Sequence, residues 1–477
     1  MKRILIRSGK SPFDVVSPEK VIQHNIIGTN AGNLIFSDAV HKMLYTEGAE
    51  ITSNRFVVDP SAADRINEEY DVFVVPLANA FRPSFEKHLR TLTELIERLT
   101  IPVVVFGVGA QSGLDYNPER LAPLERTVKR FAAAVLDRSP SIGVRGEFTE
   151  SYLNSLGFTD VDVIGCPSMF LNGTDLRVEK KAERLDRDSK IAINASRSAL
   201  GAGDIGGIVQ TNCERYPNLL YIAQELKDLE LLYWGDASEW DGRYSPMPVH
   251  RTHPLFQQNR VRLYYDPVTW INTLSDYEFA FGTRIHGNIA ALLAGTPSVV
   301  LCHDSRTLEL CRYFDIPHRR ISELDADVDP ADLYAEADYD ALVKGHRERF
   351  DRIVAFMDKH GLDHVFRPGR DSGAAFEARM REIEFPPGVQ AWGDDDSELV
   401  RRLGRLREDT RELRKQQAAS ERRIAELTKQ LQAMEKRVDK EVKRLRTLER
   451  DLRNSPYRRV RRVVGRSVRR IVGSRRP

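Results

Sequence analysis

Residues 281–297 read FGTRIHGNIAALLAGTP, which places arginine and imidazole where an apolar strand gives way to a small-residue helix. A packed core has no use for either side chain there. The spacing makes Thr283 the N-cap, Arg284 the first helical residue and His286 the third. Unpaired N–H groups at a helix N-terminus attract anions, and a guanidinium fork with an imidazole beside it sharpens that into a phosphate or carboxylate pocket. His286 titrates near neutral pH and can move a proton. Gly287 and the alanines after it let the helix lie close on its sheet. The plainer reading, a polar cap on an ordinary strand–helix turn, stays equally open on this segment alone.

Other strand ends carry residues of the same kind. Arg197 follows KIAINAS and opens the loop SALGAGD. Ala110, Gln111 and Ser112 follow IPVVVFGVG, and Arg145 stands between SIGV and a helix. NIIGTNAGN, with Asn30 and Asn33, is a Gly/Asn loop opening the first long helix and suits a phosphate or a sugar. Glycine turns follow strands in every α/β protein, so each is weak alone. Their shared position at carboxyl ends of strands carries the weight. HDSR (303–306) belongs to the same layer, where His303 and Asp304 either support a cleft or begin a helix. His250 and His253 are three apart with no third ligand, so no metal site is expected. There is no GKS/T loop, GxSxG elbow or HExxH.

These residues need a scaffold, and the hydrophobic pattern supplies one. In residues 1–180 the runs RILIRS, FVVDP, YDVFVVP, IPVVVFGVG and SIGVRG read as buried parallel strands. Between them LIFSDAVHKMLYTEG, SFEKHLRTLTELIERLT and FTESYLNSLGF have the period of amphipathic helices. The polar stretch 177–189 resets the pattern. KIAINAS opens a second series, with a helix around 217–228, then strands at LELLYWG, VRLYYD, YEFAFG and PSVVLCH, and a long helix from VDPADLY to DKHG. The expectation is two Rossmann-like α/β domains, 1–180 and 188–390, with a ligand cleft between them.

At 477 residues, with 41% apolar and 8% aromatic residues, the chain can build such cores. Its cysteines, Cys166, Cys213, Cys302 and Cys311, show no metal-ligand spacing and read as reduced thiols in a cytosolic protein. No run of about 18 apolar residues exists, and the opening apolar run is too short for a signal peptide, so neither export by that route nor a membrane span is expected.

From Leu399 to Leu452 sixteen positions alternate at spacings of four and three, and twelve are apolar; the exceptions are Thr410, Gln417, Ser420 and Glu441. This rhythm predicts a coiled coil over 397–453, and with it a homo-oligomer. Residues 454–477 form a basic tail whose valines and isoleucines recur at helical spacing. Residues 453–477 hold ten of the 72 Lys and Arg and no acid, leaving 62 basic against 70 acidic residues in the body. Such a segment suits an anionic membrane surface. Nucleic acid competes for the same arginines but is not the expected partner, and a disordered basic end is the plainer alternative.

GTRIHGNIAALLAGTPSVVL, followed by a short helix with Cys311 to Tyr313 and by IPH, resembles the C-terminal signature of the polysaccharide pyruvyl transferases. GVGAQ after a strand, SIGVRGEFTESYLNSLGF with VIGCPS beyond it, and the Asn/Gly loop fit the same family. The resemblance covers about residues 20–360. It implies a GT-B-like fold and phosphoenolpyruvate as donor substrate, with no cofactor. The pyruvyl (carboxyvinyl) group would pass to sugar hydroxyls of a cell-surface polysaccharide or its lipid-linked precursor as a ketal. On this resemblance Arg284 and His286 are catalytic. Arg197, Thr283 and Gly287 bind the donor, while Asn30, Asn33, Gln111 and Arg145 face the acceptor. Two positions depart from the pattern: Asn33 and Cys166 stand where acidic residues are common. The expected setting is the cytoplasm, peripheral at the inner face of the plasma membrane. The alternatives are a GT-B-type nucleotide-sugar glycosyltransferase, which would want an acidic ribose ligand in the second half, and a non-enzymatic coiled-coil scaffold.

Overall fold

The structure, a computed structural model, describes residues 1–238, 246–393, 396–454 and 460. Short strands pair in parallel; most are buried Val-, Ile- and Phe-rich runs, while the edge runs AEITS, VDV and HRR are at most partly buried. In the first half these are β1 (Lys2–Ile6), β2 (Ala49–Ser53), β3 (Val72–Pro76), β4 (Val103–Phe106), β5 (Ile142–Val144) and β6 (Val161–Val163). In the second they are β7 (Ile191–Asn194), β8 (Leu220–Ala223), β9 (Val261–Leu263), β10 (Phe279–Gly282), β11 (Ser298–Cys302) and β12 (His318–Arg320).

One sheet runs β2-β1-β3-β4, with β5 and β6 paired beside it and a bridge from Val108 to Val144 joining the two. The other runs β12-β11-β10-β7-β8-β9. Both are doubly wound, and the order reverses between β1 and β3 in the first sheet and between β7 and β10 in the second. The carboxyl ends of those strands are where such sheets bind ligands. Both sheets lie in one compact unit, residues 1–394, and residues 395–477 form a second unit. The α/β class and the parallel sheets expected from the sequence are present.

Three local expectations are corrected. FVVDP is not a strand: Arg55 and Phe56 have left-handed backbones, Val57 is exposed, and AEITS just before forms the edge strand instead. The helix expected around 217–228 and the strand expected at LELLYWG exchange types. Leu220–Ala223 is a strand and Leu226–Trp234 is a helix, started by a capping box between Glu225 and Asp228. The long helix after residue 328 is two, Pro330–Glu336 and Asp340–Lys359. In the second unit a 59-residue helix spans Asp396–Asn454. The basic tail expected over 454–477 lies outside the described residues apart from Asn454 and Val460. Among the described residues no helix is long and apolar enough to cross a membrane.

Candidate active site

Register places the motif. Gly282 pairs with Asn194 across β10 and β7, and a Cβ on Gly282 would lie 1.9 Å from the Asn194 carbonyl oxygen. Its φ of 145° is one that only glycine adopts readily. This close approach lets the two strand ends hydrogen-bond to each other: the Ser196 N–H donates to Thr283 Oγ1 at 2.7 Å and the Arg284 N–H to Asn194 Oδ1 at 2.8 Å. Thr283 therefore does not cap the following helix. Arg284 occupies the N-cap position with an extended backbone, and the helix runs Ile285–Leu293. The hydroxyl is taken by the neighbouring loop instead.

Arg284 is tied to its own protein through two of its nitrogens. Its Nε donates to the Ala195 carbonyl at 2.9 Å, and its Nη2 meets Glu225. Glu225 also accepts from Arg197 Nη2 at 2.8 Å. Burial works to raise the Glu225 pKa, but Arg284 and Arg197 outweigh it and hold the carboxyl at about 2. Glu225 was not singled out in the sequence. It stands at the carboxyl end of β8, where the acid of a capping box is easily read as nothing more than a helix start.

A second set of cations is less completely balanced. The cavity beside the motif, about 610 Å³, is lined by Arg82, Arg145 and Arg306 as well as Arg284 and His286. Arg145 is 1% exposed, and its Nε and Nη2 have no hydrogen-bond partner among the described residues. Burial lowers its pKa. Gly109 lets it fit, since a Cβ there would sit 2.4 Å from Arg145 Cδ. Burial, with the like charges of Arg306 and Arg145, lowers Arg82 to about 10. The Asn79 amide oxygen, in the orientation that satisfies its neighbours, accepts from Arg82 Nη1 at 3.0 Å and Arg306 Nη1 at 3.2 Å. Arg306 Nε donates to Asp304 at 2.6 Å. Arg82 and Arg306 follow β3 and β11; looking for cations just past the strands at each switch point would have found Arg82. Arg306 sits inside the HDSR segment, where attention fell on its neighbours.

His286 lies under this cationic wall. Its ring is buried against Gly32, where a Cβ would come within 2.5 Å of His286 Cβ, and Phe36 meets it edge-on. Burial, then Arg145 and Arg306, push its pKa down to about 3. This favours the neutral imidazole and corrects the expectation of a group titrating near pH 7. Its Nε2 is 3.7 Å from Cys166 Sγ, so the departure noted at Cys166 falls directly against the histidine. Burial raises the Cys166 thiol pKa. His303 is likewise driven neutral, to about 4, by burial, with Nε2 3.2 Å from Ser198 Oγ.

The remaining expected residues divide. Asn30, Asn33, Gln111, Arg145 and Thr283 join Arg284 and His286 in the cavity lining, whereas Arg197 and Gly287 are outside it. Gly287 serves packing: a Cβ would lie 2.6 Å from Gln224 Nε2. Asn30 forms a bridge with Glu225 that stitches the first loop to the end of β8. Asn33 Nδ2 donates to the carbonyls of Ile27 and Gly28, both at 3.0 Å, bonds that a carboxylate could not make. Gln111 Nε2 donates to Asp304 at 3.2 Å. Glu309 was also missed. From the helix Ser305–Phe314 it accepts the Thr149 N–H at 2.8 Å, tying down the first turn after Arg145. His253 caps a short helix through Nδ1.

The family model of the polysaccharide pyruvyl transferases matches residues 30–305. No curated protein matches the chain in sequence. Among solved structures, a UDP-GlcNAc 2-epimerase from Methanocaldococcus jannaschii in complex with UDP-GlcNAc and UDP is 12% identical, with a TM-score of 0.42 over 75% of this chain and 99% of that one. The S. aureus MnaA–UDP co-structure is 13% identical, with a TM-score of 0.36 over 82% and 100%.

Proposed function

Since this chain belongs to the polysaccharide pyruvyl transferase family, we propose that its cavity binds phosphoenolpyruvate and transfers the pyruvyl group to two hydroxyls of a glycan. The observation that carries the reading is Arg145, a buried arginine in the cavity lining whose Nε and Nη2 have no partner among the described residues. A buried cation is costly unless something anionic completes it. Phosphoenolpyruvate brings a phosphate and a carboxylate, and Arg145, Arg82 and Arg306 supply matching forks. In this assignment Arg145 belongs to the donor rather than the acceptor, and Arg284 acts through the fixed field of the β10 end rather than as a free grip.

In the reaction two acceptor oxygens bond to the central carbon of the donor and its C–O bond to phosphate breaks. One hydroxyl proton ends on the methylene carbon, which becomes methyl, and the other leaves with phosphate. Charge that builds on the departing phosphate is met by arginines already in place, so little reorganisation is needed at the barrier. Neutral His286 can accept a hydroxyl proton. The imidazolium so formed is favoured only while the donor's anionic groups offset Arg145 and Arg306, which couples proton transfer to donor occupancy. The acceptor then enters past the Asn30–Asn33 loop and Gln111.

Phosphate release from phosphoenolpyruvate with a panel of glycan acceptors tests the assignment, alongside His286→Ala and Arg145→Met. Turnover unchanged in either variant would overturn the site. Hydrolysis of a nucleotide sugar with no response to phosphoenolpyruvate would overturn the activity. We further propose that the Arg-rich residues 453–477 hold the enzyme at an anionic membrane face, where lipid-linked acceptors reside. Vesicles containing phosphatidylserine should retain the full chain and lose a chain ending at Leu452; equal retention counts against it.

A further inference from the structure

The helix Asp396–Asn454 carries its apolar residues outward. Leu413 is 56% exposed, Ile424 63% and Leu431 62%. They belong to the four-three stripe running from Leu399 to Leu452. Within the helix, ion pairs such as Arg453–Glu449 at 2.6 Å support the backbone but leave the stripe in water. A stripe of this length, apolar at twelve of its sixteen positions, marks an association surface.

We propose that the stripe is covered by a second copy of this chain, paired in parallel and in register as a two-stranded coiled coil. Three features choose that occupant. With Leu403 at position a, the a series includes β-branched Ile424 and Val438, while leucine holds five of the eight d positions, namely 399, 406, 413, 427 and 448. β-Branched a with leucine d favours two strands.

The polar seam positions choose the direction. In a parallel pair Thr410, Gln417 and Ser420 each meet their own copy, and Gln417 side chains can hydrogen-bond to each other. A fully overlapped antiparallel pair would set Gln417 against Met434 and Ser420 against Leu431. Each pairing occurs twice in the pair, so four layers would then bury a polar group on an apolar one. Glu441 faces its copy in the parallel pair, but each lies 3.7 Å from Arg444 of its own helix, which moderates the repulsion.

Charges flanking the seam agree. Parallel pairing brings Asp409 to Arg414 and Arg444 to Glu449 of the other copy, with Arg402 against Arg407 the one like-charge contact. Antiparallel pairing also gives opposite-charge contacts, Arg407–Glu449 and Asp409–Arg437. It opposes Glu421 to Glu435, Arg402 to Arg444 and Arg423 to itself. In the parallel pair both helices end together at Asn454, so the arginines that follow in each sequence start from one end of the pair and can engage a surface bivalently.

Light scattering of the full chain should give twice the chain mass. The double variant Leu427→Arg/Leu431→Arg should give one chain mass with unchanged thermal unfolding of residues 1–394, while Lys429→Glu, off the seam, should stay paired. Orientation is read by mild oxidation of Leu448→Cys: the parallel register links it to its own copy, whereas antiparallel pairing would set it opposite Leu403. A wild-type mass of one, three or four chains overturns the proposal, as does a double variant that stays paired. So does a Leu448→Cys chain that links only to a Leu403→Cys chain.

Discussion

Two sets of arginines meet at one cavity and differ in what balances them. Arg284 and Arg197 share the carboxylate of Glu225, and Arg284 also donates to a backbone carbonyl. Among the described residues Arg145 has two buried nitrogens without partners, whereas beside it Arg82 donates to Ser84 Oγ at 3.0 Å and to the Asn79 carbonyl at 2.5 Å, and Arg306 pairs with Asp304 at 2.6 Å. The first set is a closed ion cluster that holds two strand ends in position. The second is open at Arg145, whose free nitrogens an anion would complete. Conspicuous arginines in a motif are thus not the ones with capacity left for a ligand.

Breaking the open set should harm function and spare stability. Arg145→Met removes a guanidinium with two nitrogens unpartnered among the described residues, so kcat/KM for phosphoenolpyruvate should fall about 10³-fold, roughly 4 kcal/mol. Thermal unfolding should be unchanged or shift upward. Breaking the closed set should do the reverse. Glu225→Gln strands two guanidiniums beside each other and should lower stability by about 3 kcal/mol, read in urea unfolding, with a smaller loss of turnover.

The histidine between them offers a finer test. Cys166→Asp puts a carboxylate where a thiol stands 3.7 Å from His286 Nε2, and an adjacent anion should raise the His286 pKa by about one to three units. The acid limb of the pH–rate profile, and the imidazole NMR titration, should move upward together.

The smallest effect concerns Glu309, which secures the turn after Arg145. Burial lifts its carboxyl from 4.5 to about 7, so between those values the folded state holds a proton that the unfolded state has released. Stability therefore falls as pH rises through that window. Glu309→Gln keeps an acceptor for Thr149 but cannot titrate, and should flatten the slope by about 1–3 kcal/mol across it.

Much of the fold was legible because buried parallel strands must be short and apolar, and β3, β4, β10 and β11 are both. The exchange of strand and helix over 217–235 was not legible from that period. LELLYWG is apolar enough for either, and the Glu225–Asp228 capping box settled it. FVVDP failed for the opposite reason: two residues in left-handed backbone conformation turn the chain away from the sheet edge. Within the site, Arg284 and His286 declared themselves by standing at a strand–helix junction. Arg82 and Arg306 did not, since an arginine in a loop looks like any solvated charge until the fold buries it.

What the sequence determined by itself was placement along the chain: which segments become strands, that cations cluster at their carboxyl ends, and that a heptad stripe follows the α/β body. Only the tertiary structure decided which charges are cancelled and which are left open. Pairing depends on distances between residues far apart in sequence, such as Arg284 and Glu225 or Thr149 and Glu309. Burial then decides whether an imidazole like His286 is charged or neutral, because the energy of a charge depends on everything that surrounds it.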